Sequence, residues 1–245
     1  MNRTSITGLA CLLAVALTAC AGGGEPSAPS GSPASAPLEA LKEPANSMSV
    51  SPPLSPAPVS AEALAAYRAL LAGEPGALDR PPEGLELHQV TLPPAEELEY
   101  VLLDLDGDGG AELVVQMVAQ PHQFNAVFHY GDGELSCWQY DIVEMSCRDY
   151  PLEDGAMVRQ YDTGTGPNRY SNLYTVFRYL PDGETEECAS LAVHQDTQED
   201  GTEVFTYLVD DAEVDQDTFA AEFEELVGSR LLSLEDWTPA TERPG

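Results

Sequence analysis

Residues 124–140 read Phe-Asn-Ala-Val-Phe-His-Tyr-Gly-Asp-Gly-Glu-Leu-Ser-Cys-Trp-Gln-Tyr. Two aromatic and β-branched runs, 124–130 and 135–140, meet through Asp132-Gly133. Partial alternation of apolar and polar side chains suits a strand with one face on a core. Asp-Gly tolerates the left-handed dihedrals that a tight hairpin turn needs. The stretch therefore predicts an antiparallel hairpin, and the same punctuation recurs along the chain.

Residues 157–161, 173–180, 188–194 and 203–209 are further strand-like runs, and Asp154-Gly155, Asp182-Gly183 and Asp200-Gly201 stand at turn positions around them. No fixed period relates these pairs, so they read as a meander rather than a repeat, although a propeller blade or a sandwich would use similar signals. Helical spacing brackets the strands. Leu64, Tyr67, Leu70 and Leu71 follow Ser60 as a cap and precede Gly73 as a stop; Phe219, Phe223, Leu226 and Val227 lie on one face of 216–226, before Gly228. The fold class expected is α+β: an antiparallel β meander with Asp-Gly turns, flanked by an N-terminal and a C-terminal helix.

The chain has 245 residues, 10 Lys or Arg against 42 Asp or Glu, and a net charge of −32. Such a charge repels phosphate backbones and anionic lipid headgroups, which argues against nucleic acid as a partner. A 43 % apolar content still supports a packed core. Only Arg3 and Lys42 among the bases, and Glu25, Glu39 and Glu43 among the acids, precede residue 61, so residues 61–245 hold 8 bases and 39 acids, a net −31. The charge belongs to the segment that folds.

One loop within it carries chemistry. Asp104-Leu105-Asp106-Gly107-Asp108-Gly109-Gly110-Ala111-Glu112 sets oxygen-bearing residues at relative positions 1, 3, 5 and 9, with glycine at 6. Ca²⁺ takes six to eight hard oxygen ligands, and alternate residues of a tight loop aim theirs at one centre. Asp104, Asp106, Asp108 and Glu112 would offer carboxylates and Gly110 its carbonyl, with Ca²⁺ in a structural role. Position 12 is Val115, and 113–118 prefers strand, so the loop is not an EF-hand.

With strand-like 100–103 before it and Leu113 after it, the pattern Asp-x-Asp-Gly-Asp-Gly-x-x-Glu-Leu resembles the calcium loops of FG-GAP and VCBS-type repeats. The resemblance implies an extracellular setting and a Ca²⁺ ion held between strands. Those families usually carry Asp where this chain has Glu112. More broadly the chain resembles bacterial cell-envelope lipoproteins, through a lipobox, a low-complexity stalk, this loop, the hairpin at 130–134 and the acidic helix at 219–227.

The lipobox lies at the N-terminus. Arg3 precedes a twelve-residue apolar run, 6–17, which suits an export signal and is too short for a spanning helix. Leu17-Thr18-Ala19-Cys20 resembles the site where Cys20 is lipidated and becomes the mature terminus. Residues 1–19 then form the signal peptide, 20–60 the lipidated Cys and linker, and 61–245 a single acidic domain. Acyl chains on Cys20 would anchor the exported protein to a lipid bilayer, facing the extracytoplasmic side. Residues 21–60 hold 9 Pro, 9 Ser, 7 Ala and 4 Gly in 40 residues and no aromatic, a composition that predicts a disordered linker. Such a linker spans about 35 Å as a coil and about 120 Å when extended.

Three cysteines remain beyond Cys20. Cys137 and Cys147 flank a short connection and are the candidate disulfide pair, but two partly buried thiols fit equally well. Spacing alone leaves a Cys137–His194 dyad open. The Gly-x-Ser-x-Gly, His-Glu-x-x-His, Cys-x-x-Cys and phosphate-loop motifs are absent, so no catalytic residue is assigned. Residues 163–168 read as a connecting loop beside Tyr161 and Tyr170. Trp138, Tyr140, Tyr161, Tyr170 and Tyr174 are candidate flat faces for a glycan or protein partner. The expectation is a non-catalytic binding or structural protein of the cell envelope; the alternative is a secreted-type hydrolase whose acids are hidden among the many.

Overall fold

The computed structural model describes residues 58–141, 146–166, 168–242 and 244. The expected signal segment, Cys20 and all of the expected linker except residues 58–60 lie outside this set. Ser60 caps α1 (Ala61–Leu71), its side chain accepting from the Ala63 amide, and α1 buries Ala63, Tyr67, Leu70 and Leu71. The strands that follow are β1 (Leu98–Leu103), β2 (Glu112–Met117), β3 (Gln120–Gly131), β4 (Glu134–Tyr140), β5 (Cys147–Pro151), β6 (Met157–Gly166), β7 (Arg169–Tyr179), β8 (Thr185–Thr197), β9 (Glu203–Val209) and β10 (Ala212–Val214). They lead into α2 (Gln216–Leu226), capped by Asp215, and the short β11 (Thr238–Pro239). The fold is α+β, with the two helices at the ends of an antiparallel series of strands.

The four Asp-Gly pairs read as turns, at 132–133, 154–155, 182–183 and 200–201, all fall at hairpin connections. Asp132 and Gly133 both take positive φ, 54° and 83°, the combination that a two-residue turn between right-twisted strands requires. The turn between β9 and β10 does the same without glycine, through Asp210 and Asp211 at φ 47° and 64°. Asp tolerates that region better than most residues.

The strands divide into two sheets, β11-β1-β2-β3-β4 and β10-β9-β8-β7-β6-β5. Apolar side chains divide three ways accordingly. Leu98, Tyr100, Leu113, Val115, Phe124, Ala126 and Phe128 pack against α1. Val101, Leu103, Val114 and Val127 turn to the opposite face, where they meet Met157, Phe177 and Tyr179 of the second sheet with Leu232 and Trp237. Val158, Tyr174, Val176 and Leu191 lie on the far side of the second sheet, under Phe219 and Val227. The layers therefore run α1, first sheet, second sheet, α2. Strand β2 is central and covered on both faces, which is why its Leu113-Val114-Val115 run is continuous rather than alternating.

Two sequence expectations change. Residues 163–166 belong to β6, pairing Thr163 with Ser171 and Gly164 with Tyr170, so most of the expected loop is strand. The ladder to β7 satisfies its backbone groups. Strand β5 was not legible, because Arg148, Asp149 and Pro151 are poor strand formers. Charge pairs across the strands hold it: Asp149 stands opposite Arg159 in the register, and Arg148 reaches Asp162 at 3.0 Å.

The Cys137–Cys147 pair is corrected too. No disulfide joins them. They stand on β4 and β5, in different sheets, and the Cys137 thiol donates to the Gln139 carbonyl at 3.1 Å. His194 bonds Ser171 through Nδ1 at 2.7 Å, so no Cys137–His194 contact exists either. Burial pushes the Cys137 thiol up to about 12, far from a reactive thiolate.

Candidate metal centre

The loop between β1 and β2 is closed by its own acids. Asp104 accepts the Gly107 amide at 2.8 Å and the Gly109 amide at 3.1 Å, Asp106 accepts Asp108 at 3.0 Å, and Asp108 accepts Gly110 at 2.5 Å. Each carboxylate keeps further lone pairs for a cation. Gly107 and Gly109 hold φ of 78° and 88°, which bends the chain back twice within five residues. Two neighbouring elements brace the loop from outside. The Tyr67 hydroxyl of α1 donates to the Ala111 carbonyl at 2.8 Å, and Gly155, at the β5–β6 turn, lies directly against the Asp104 carbonyl.

Two sets of ligand atoms converge within 4.8 Å: Asp104, Asp106 and Asp108, and Asp106, Glu112 and His129. Asp106 belongs to both. Its Oδ2 is shielded from solvent and has no hydrogen-bond partner. Burial raises the Asp106 carboxyl, the Asp108 amide opposes that shift, and the Asp108 and Asp104 charges add to it. Gly110 meets the acids through its amide. Glu112 is 1 % exposed and accepts the Leu105 amide at 2.7 Å through Oε2, while Oε1 lies 3.0 Å from His129 Nδ1. The carboxylate holds the His129 imidazole above its ordinary range.

His129 is a residue the sequence reading missed. Leu113 pairs with Phe128, so Glu112 and His129 lie side by side at the start of the β2–β3 ladder. The hairpin register would have located it. The imidazole stacks on Trp138 at 4.3 Å and 11°, and Trp138 stacks on Tyr179 at 5.4 Å. Two rings thus stack on the indole, and Tyr174 is buried; of the other proposed flat surfaces Tyr161 is 41 % exposed.

Trp138 also lines a cleft of about 760 Å³, together with Tyr140, Phe177, Tyr179, Asp141 and Arg159 and the carboxylates of Glu83 and Glu187. Arg159 binds Asp149 by two parallel bonds, Nε to Oδ1 at 2.8 Å and Nη2 to Oδ2 at 2.7 Å. The Gln139 amide donates to both Asp149 and Asp141 and accepts from the Tyr179 hydroxyl. Burial, then the charge of Asp149, pushes the Asp141 carboxyl up to about 6. Its folded form holds a proton more tightly than the unfolded chain does, so stability falls as pH rises from about 4 through about 6 and is level above. The side chain is 42 % exposed, and screening leaves on the order of 1–2 kcal/mol of that effect. Asp141→Asn is accordingly expected to raise denaturant stability at pH 7.5 by about that amount and to change it little at pH 4, as read from urea unfolding at both pH values.

Among the described residues no helix is long and apolar enough to cross a membrane. No family model matches the chain, and neither a curated protein nor a solved structure does.

Proposed function

We propose that this is an exported, lipid-anchored protein whose domain binds Ca²⁺ at Asp104, Asp106, Asp108 and Glu112, in a non-catalytic binding or structural role at the cell envelope. The observation that carries the reading is Asp106: a shielded carboxylate oxygen without a donor, shared between two converging groups of ligands. Unneutralised acids at this separation repel one another, and a divalent cation removes that cost. Oxygen donors favour Ca²⁺ over transition metals. His129 serves as an orienting partner, its Nδ1 on Glu112 and its ring on Trp138, in the way second-shell groups fix ligand direction.

A Tb³⁺ luminescence titration of the mature chain, with displacement by Ca²⁺, tests this. Saturable one-site emission, displaced by Ca²⁺ more readily than by Mg²⁺, is expected; a flat titration removes the calcium reading, and preferential displacement by Zn²⁺ moves His129 into the ligand set. The anchor is tested separately. Cys20→Ala is expected to shift the chain from the membrane to the soluble fraction, because lipid attachment needs that thiol, and full retention on the membrane would exclude the anchor.

The hydrolase alternative has one observation in its favour, the raised carboxyl of Asp141 in an open cleft. Against it, both oxygens of Asp149, the acid nearest Asp141, are committed to Arg159, so a paired-acid mechanism would have to draw its second carboxylate from Glu83 or Glu187 on the cleft wall.

A further inference from the structure

Near Asp141 a smaller cavity of about 230 Å³ lies between the sheets, its wall formed by His122, Gln123, Asn125, Asp141, Cys147, Asp149 and Arg159. Asp141 and Arg159 line both spaces, so the two adjoin. Asn125 is 1 % exposed. Its amide nitrogen donates to the His122 carbonyl at 3.0 Å and the Asp149 carbonyl at 3.2 Å. Those bonds fix its orientation, since a flipped amide would aim oxygen at two oxygens. Asn125 Oδ1 is left as a buried acceptor with no donor. An orphaned buried acceptor is costly, which is reason to look for the donor it serves.

Charge narrows the choice of donor. Asp141 and Asp149 share one guanidinium, and Arg159 spends its two parallel bonds on Asp149, with Asp141 at 3.6 Å from Nη2. Two carboxylates against one guanidinium leave one negative charge among Asp141, Asp149 and Arg159, and the wall residues include two acceptors, Asn125 Oδ1 and the Asp141 carboxylate. A neutral hydroxyl would satisfy one acceptor and leave the charge. A metal ion finds too few ligands: among the described residues no group of three His, Cys, Asp or Glu converges at this place. A primary ammonium brings three donors and one positive charge on a compact head. The adjoining cleft, walled by Phe177 and Tyr179, suits a slender apolar stem.

We propose that this cavity binds a primary ammonium group carried on a short flexible chain, with Asn125 Oδ1 and Asp141 as its acceptors and Arg159 holding Asp149 out of competition. The site is separate from the calcium loop and does not depend on it.

The test uses the mature chain carrying Asp106→Asn, so that a response at the calcium loop does not intrude, and follows amide shifts and calorimetric heat on adding cadaverine, Nα-acetyl-lysine methylamide or 1-pentanol. Saturable binding of an amine, absent for the alcohol and weakened at least tenfold by Asp141→Asn, supports the proposal. Cadaverine binding alone assigns a free amine, and binding of the lysine derivative assigns a lysine side chain of a peptide. Asn125→Leu is expected to weaken binding similarly, and Asp141→Asn, which keeps the fold, decides the matter should Asn125→Leu unfold. Equal binding of pentanol, no binding of either amine, or unchanged binding in Asp141→Asn overturns it; a flat Tb³⁺ titration of the unmodified chain would leave it standing.

Discussion

Saturating Ca²⁺ is expected to raise the melting temperature of the protein by about 5–10 °C, and Asp106→Asn to abolish the rise. A ligand present at a hundred times its Kd, binding only the folded state, adds about 2.7 kcal/mol. For a domain of this size each kcal/mol moves the midpoint by roughly 2–4 °C. Screening is the competing effect, because residues 61–245 carry a net −31 and any salt relieves their self-repulsion. Differential scanning calorimetry at matched ionic strength in Ca²⁺, Mg²⁺ and Na⁺ separates the two. A site-specific contribution appears in Ca²⁺ far more than in Na⁺; a rise that is equal in all three salts and survives Asp106→Asn means screening alone. Asp106 is the residue to change because it belongs to both converging groups, whereas Asp104 also closes the loop through two amides.

The strands were legible in the sequence because their signals are local. Asp-Gly with strand-like neighbours specifies a hairpin within about ten residues, and every such pair stands at one. Both helices were legible for the same reason, through caps and 3.6-residue spacing. The division into two sheets was not. Alternation says which side of a strand is buried and nothing about which neighbour it pairs with, so the runs that form β4 and β6 read as consecutive members of one meander although they lie in different sheets. Strand β5 itself was hidden because Asp149 and Arg159 stabilise it only after they are paired. At the site, the acids of the loop were visible as spacing. His129 and Gly155 were not, since each reaches the loop through a strand pairing or a sheet-to-sheet contact.

Gly155 tests that sheet-to-sheet contact directly. Gly155→Ala is expected to cost about 2–4 kcal/mol, a fall of roughly 5–15 °C in melting temperature, and to weaken Ca²⁺ binding as well. Two effects combine. The residue has φ +81°, where an L side chain costs about 1–2 kcal/mol. Its added Cβ would also overlap the Asp104 carbonyl oxygen and come 3.1 Å from the carbonyl carbon, so backbone must give way. The atom it displaces belongs to the first ligand of the loop, which ties the loss of stability to loss of affinity. Gly201→Ala is the matched control. It has φ +83° with nothing within 4 Å of the new Cβ, so it carries the conformational cost alone, about 1–2 kcal/mol, with Ca²⁺ affinity unchanged. Equal melting temperatures together with equal Ca²⁺ affinities for the two variants would show that the β5–β6 turn does not brace the loop. Equal destabilisation with affinity lost only in Gly155→Ala would instead show that the turn positions Asp104 without contributing to the fold.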